Sequence, residues 1–200
     1  MTHLRIPALG LLALVAACLA ACGPADAPAA SPAREVAPEP GRTIPVTPPG
    51  EPLDLAGWRI VVVGDAADLV DGARGVAEGA GAELSEIPAG DDPDGALAAA
   101  IGADPDLVVG VGEGVVDAFS FETAQRLDRD FLLLGAQLAE PTANVTAVIW
   151  EGATSRGSAA SADGDLDPAS ATPARGADAL AAGIASIRAG ETGIVLDLDD

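Results

Sequence analysis

The stretch Ala103-Asp-Pro-Asp-Leu-Val-Val-Gly-Val-Gly-Glu-Gly-Val-Val-Asp117 decides how the chain is read. The apolar run 107–109 enters a turn holding Gly110, Gly112 and Glu113, and helical spacing begins at Val115. Strand, glycine-rich turn and helix in that order form the unit from which open α/β sheets build ligand crevices, because ligands settle beyond the carboxyl ends of the strands.

Working outward, the same alternation repeats. Arg59-Ile-Val-Val-Val-Gly-Asp65 is a continuous β-branched run, the pattern of a strand buried on both faces. Leu69, Ala73, Val76 and Ala80 follow at helical spacing, and Gly79 and Gly81 stop them. Residues 83–87 give a second strand, 88–95 a turn and 96–102 a short helix. Beyond the opening stretch, Val116, Phe119, Thr123 and Leu127 predict one inward helix face. Residues 130–134 and 144–151 give two further strands. Residues 155–173 are Ser, Ala, Gly and Asp with almost no large apolar side chain, and read as a flexible loop. Thr172-Pro173 then reads as a helix cap and first helical position, Ala177, Leu180, Ile184 and Ile187 as a helical stripe, and 192–198 as a last strand. Parallel neighbours need crossovers, so the alternation predicts a doubly wound, mostly parallel sheet of five to six strands in a single flavodoxin-like lobe spanning 55–200.

Composition narrows the chemistry. Thirty-one acidic residues against ten arginines, with no lysine, give a net charge of −21. Such a chain repels nucleic acid and anionic membrane surfaces. The one histidine, His3, and both cysteines, Cys18 and Cys22, lie in the first 22 residues. The remainder has no imidazole base, no thiol nucleophile and no His/Cys zinc ligand set, so no catalysis and no cofactor are expected.

The beginning of the chain reads as a leader. His3 and Arg5 precede an apolar run free of acids that closes on Leu19-Ala-Ala-Cys-Gly23. Residues 1–21 have the n-region and h-region of a secretory signal and are too short for a membrane span. The closing residues resemble a bacterial lipobox, which implies cleavage before Cys22 and its lipidation, with the chain anchored on the extracytoplasmic face of the cell membrane. Residues 22–54 hold nine prolines among alanine and serine and read as an extended spacer.

Gly110-x-Gly112-x-Gly114 departs from the GxGxxG of dinucleotide sites and follows the third strand rather than the first. Asp163-x-Asp165-x-Asp167 starts like a calcium loop but has Pro168 and Ala174 where glycine and glutamate are needed. Asp91-Asp-Pro-Asp-Gly95 is a turn sequence. Asn144-Val-Thr146 matches a glycosylation sequon at the start of a strand. The strand ends carry Asp65, Gly110, Gly112, Glu113, Gln137, Trp150 and Glu151, the expected crevice residues. Trp150 either offers its ring to a ligand or caps the sheet as a buried side chain.

With these elements placed, the chain resembles the basic membrane protein family, the nucleoside-binding lipoproteins of bacterial ABC importers. The pieces that match are the lipobox at Cys22, Asp106-Leu-Val-Val-Gly-Val-Gly112, Phe131-Leu-Leu-Leu-Gly135 and Ala143-Asn-Val-Thr-Ala-Val-Ile-Trp-Glu-Gly152, in the order of the family's first periplasmic-binding-protein lobe. The resemblance implies a small, nucleoside-like solute and an ABC permease as partners. The family clamps its ligand between two lobes, and here 155–173 stands where the second would begin. A single lobe leaves much of a ligand in water, whereas pockets bury about 70–90% of one. A homodimer that rebuilds the cleft, or an envelope-interaction role without a small ligand, is the alternative expectation.

Overall fold

A computed structural model describes residues 39–156 and 166–198. They form strands β1 (Thr43–Val46), β2 (Arg59–Gly64), β3 (Glu83–Ile87), β4 (Leu107–Val111), β5 (Phe131–Leu134), β6 (Val145–Ile149) and β7 (Val195–Leu198). The helices are α1 (Ala67–Gly79), α2 (Pro93–Gly102), α3 (Val116–Thr123) and α4 (Pro173–Arg188), with a 3-10 turn at Glu113–Val115 before α3. The seven strands form one sheet in the order β1-β7-β6-β5-β4-β2-β3, and every neighbouring pair is parallel. The fold is α/β and doubly wound, as expected.

Side chains of alternate strand residues leave on opposite faces, and the two faces carry different helices. Ile60, Val62, Val109, Leu132, Leu134 and Val148 join Leu69 of α1 and Leu180 of α4 in one core layer. Val61, Val63, Val108, Phe131 and Leu133 join Leu97 of α2 and Phe119 of α3 in the other. Phe119 and Phe131 meet edge to face, with centroids 6.1 Å apart. Because strands buried on both sides need apolar residues at successive positions, the runs 60–63 and 131–134 are the clearest strands in the sequence.

Four boundaries differ from the sequence reading, each for a physical reason. First, the sheet has seven strands, because the proline-rich stretch read as spacer contains β1. Thr43–Val46 pairs with β7, and Ile44 and Val46 pack against the core. Pro45 lies within it because β1 is an edge strand, where a missing N–H breaks no second ladder. Second, α2 starts inside the expected turn. Pro93 is its first residue, and the Asp92 carboxylate accepts from the Gly95 N–H at 2.9 Å.

Third, α3 ends at Thr123, and Leu127 is 66% exposed rather than inward. The amide of Asn144, at the start of β6, donates to the carbonyls of Thr123, Arg126 and Arg129 and ends the helix from outside. This use of its buried side-chain nitrogen leaves the sequon no accessible acceptor. Fourth, residues 166–172, part of the expected flexible loop, run along the carboxyl edge of the sheet. The Asp167 N–H donates to the Gly152 carbonyl at 2.7 Å. The leader, Cys22, the earlier part of the spacer and 157–165 lie outside the described residues.

Candidate functional site

In a parallel sheet each helix that follows a strand begins at the carboxyl edge, so α1 and α4 both start there. Their first turns touch backbone to backbone. A Cβ on Gly72 would collide with the Pro173 carbonyl, and one on Gly176 with the Leu69 carbonyl. These two glycines fix where α4 begins and therefore where Thr172 and Arg175 stand. Thr172 caps α4, its hydroxyl accepting from the Arg175 N–H at 3.2 Å.

The strand order reverses between β2 and β4, the usual place for a ligand in such sheets. Gly112 lies there with φ +77°, a conformation that favours glycine. A Cβ on it would come to 3.7 Å from both Ala66 and Leu166. Leu166 packs against the core at this point, and its N–H donates to the Glu113 carboxylate at 3.2 Å. The switch-point crevice is thus partly occupied by the chain's own leucine.

The open part of the edge lies further along, between β6 and α4. A cavity of about 510 Å³ is lined by Trp150, Glu151, Gly152, Asp167, Ala169, Ser170, Thr172 and Arg175. Its lining residues are mostly polar: one arginine, two acids, a serine and a threonine. Asp167 Oδ1 accepts from the Ala169 N–H at 2.9 Å, and the Ser170 hydroxyl donates to the Asp167 carbonyl at 2.9 Å. Among the described residues no group of three or more His, Cys, Asp or Glu could hold a metal ion. Burial pushes the Asp130 carboxyl above its usual range, but this residue precedes β5 at the opposite, amino edge.

The residues singled out from sequence separate into three groups. Glu151 and Trp150 reach the cavity. Only the edge of Trp150 does so: the residue is 1% exposed, part of the core, and its Nε1–H donates to the Ser170 carbonyl at 3.2 Å. Of its two readings, the buried cap is the one observed. Gly112 and Glu113 stand at the switch point beside Leu166, with Asp65, which accepts from the Gly90 N–H at 3.0 Å.

Gly110 and Gln137 are both buried. Gly110 lies inside β4, not in the turn, and a Cβ there would come to 2.6 Å from Leu133 and 2.7 Å from Phe119. It makes room for Phe119. Gln137 is buried and donates its amide to the Thr154 carbonyl at 3.1 Å. The sequence reading missed Leu166, Asp167, Ser170, Thr172 and Arg175. A signal for the last two was present: Thr172-Pro173 marks the start of a helix that follows a parallel strand, which places it at the carboxyl edge.

No family model matches the chain, and no curated protein matches it. The crystal structure of ABC transporter system solute-binding proteins from Aeropyrum pernix K1 is similar over 48% of this chain, with 19% identity and a TM-score of 0.43. The match spans 29% of that chain. The α/β fold described above stands on its own strand pairing.

Proposed function

We propose that the chain is a non-catalytic, lipid-anchored module of the cell envelope that takes a small polar solute at the carboxyl edge of its sheet, as one lobe of an ABC-transporter solute-binding protein does. The cavity of about 510 Å³ carries this reading, because it is concave, mostly polar and at the edge where open α/β sheets bind ligands. The leader and the lipobox at Cys22 support the anchor, on the extracytoplasmic face. The absence of histidine and cysteine beyond residue 22 supports binding without catalysis. The resemblance to the basic membrane protein family supports an ABC permease as partner. That permease, or a second copy of the chain, would supply the wall that a single lobe lacks.

The test is thermal melting of the full chain against nucleosides, sugars and amino acids. A saturable rise in Tm follows from binding to the folded state. A flat response to every solute sinks the reading. For the anchor, Cys22→Ala should move the chain from the membrane fraction to the soluble one, and retention would refute lipidation at that residue.

A second reading is favoured by Leu166. A switch point plugged by the chain's own side chain suits an envelope-interaction module that has given up small-ligand binding. A flat melting panel together with concentration-dependent self-association would select it.

A further inference from the structure

Two large apolar side chains stand in solvent among the described residues, and both lie toward one edge. Phe121 is 67% exposed and Leu127 66%. Each has a reason in the fold. Phe119 points into the core against Phe131, and a residue two positions further along a helix leaves about 200° around the axis, so Phe121 faces out. Leu127 would face inward on a longer α3, but Asn144 ends that helix at Thr123 and leaves it in water. α3 starts at the carboxyl edge and β5 at the amino edge, so the segment from Phe121 to Leu127 descends to the amino edge.

The chain that precedes Glu39 joins the domain at the same edge. The Gly41 N–H donates to the Gly193 carbonyl at 2.7 Å, just ahead of β7, and a Cβ on Gly41 would meet Pro141, ahead of β6. Five of the eight described arginines are there as well: Arg42 before β1, Arg59 opening β2, Arg126 and Arg129 before β5, and Arg188 closing α4. Arg126 pairs with Glu122 and Arg129 with Asp104, which lowers the negative charge of this edge.

We propose that the amino edge docks on the lipid bilayer, with Phe121 and Leu127 entering the headgroup boundary and the carboxyl-edge cavity pointing away into water. This rests on the reading of Cys22 as the lipid anchor. Residues 22–38 span at most about 60 Å even if fully extended, so an anchored domain stays at high local concentration beside the membrane. Two side chains too few to hold a free protein on a bilayer then suffice to orient a tethered one. The lipid favoured is zwitterionic, because Asp128 adjoins Leu127 and a net charge of −21 opposes an anionic surface. The same charge sets a second copy of the chain against the first. While the edge is docked, a partner for the cavity must come from the aqueous side.

The experiment uses the full chain with its anchor, reconstituted in phosphatidylcholine vesicles. Flotation first shows whether the chain is on the vesicles. Phe121→Trp and Leu127→Trp should then lose at least half of their added tryptophan emission when the acyl chains are brominated. Asp94→Trp, in the first turn of α2 at the opposite edge, and the unsubstituted chain, with Trp58 and Trp150, should change little. Replacing half of the lipid by phosphatidylglycerol should lower the quenching at least twofold. A chain that floats with Phe121→Trp and Leu127→Trp unquenched overturns the docking and leaves the anchor standing. If their emission shifts with protein concentration instead, a second copy is the occupant and the bilayer is wrong. Equal quenching at Asp94→Trp, or quenching that rises with phosphatidylglycerol, overturns the apolar, oriented contact. A chain that stays off the vesicles overturns the anchor and this inference with it.

Discussion

The two edges of the sheet are built on different principles. At the amino edge, buried or charged side chains tie loops to backbone. Asn144 holds three carbonyls, the guanidinium of Arg59 bonds the carbonyls of Ala103 and Asp104, and Asp106 accepts from the Arg59 N–H at 2.8 Å. The carboxyl edge has such ties too, from Asp65, Glu113 and Gln137, but it also holds glycines and hydroxyls, a leucine laid at the switch point and a cavity beside it. The difference teaches where a fold can be modified. Parallel strands enter at one edge and leave at the other, so one edge can be fastened for stability while the other stays open to ligands.

The largest expected effect reaches the carboxyl edge through its scaffold. Gly176→Val drives a side chain into the Leu69 carbonyl and should cost about 3 kcal/mol or more, visible as a strongly lowered urea midpoint. A near-normal midpoint would mean that α1 and α4 are not in backbone contact and that Arg175 is not preset. Next, Asn144→Ala tests the fastened edge. It strips three carbonyls of their donor and should cost about 2 kcal/mol by the same measurement, with cavity binding unchanged. If it abolishes binding at equal stability, the two edges are not independent.

The smallest effect separates the plug from the core. Leu166 is partly buried, so Leu166→Ala should cost about 1 kcal/mol, below the roughly 2–5 kcal/mol of a fully buried leucine. It should also open Ala66 to solvent. In a full chain bearing Cys18→Ser, Cys22→Ser and Ala66→Cys, the lone thiol should react faster once Leu166 is shortened. Equal reactivity with and without Leu166 would mean that the switch point is not covered by this side chain.

Much of this architecture was legible in the chain. Runs of apolar residues marked the strands buried on both faces, since a buried polar residue is costly at either parity; Thr146 of β6 is an exception. The cap pair Thr172-Pro173 announced α4. The same pair type, Asp92-Pro93, announced α2, but the surrounding turn residues outweighed it. Four features had no local signal. β1 is four residues with a proline and becomes a strand because β7 offers it an edge. The end of α3 is set by an amide 21 residues away from Thr123. Gly110 is shaped by Phe119 on a different element. Leu166 is a single apolar residue in a polar run, and only its landing place gives it a role.

The sequence by itself determined the sheet from β2 to β7, its parallel sense and the edge at which ligands could settle, because hydrophobic periodicity and crossover geometry act along the chain. It also showed that no histidine or cysteine lies beyond residue 22 and that the chain has no lysine. The tertiary structure alone decided which residues share the open surface. It turned Trp150 and Gln137 inward, set Leu166 at the switch point, and brought Arg175 into the lining of the same cavity as Glu151 and Asp167. These outcomes depend on contacts between elements far apart in sequence. No local pattern encodes them, because each is settled by the side chain that arrives from the other side.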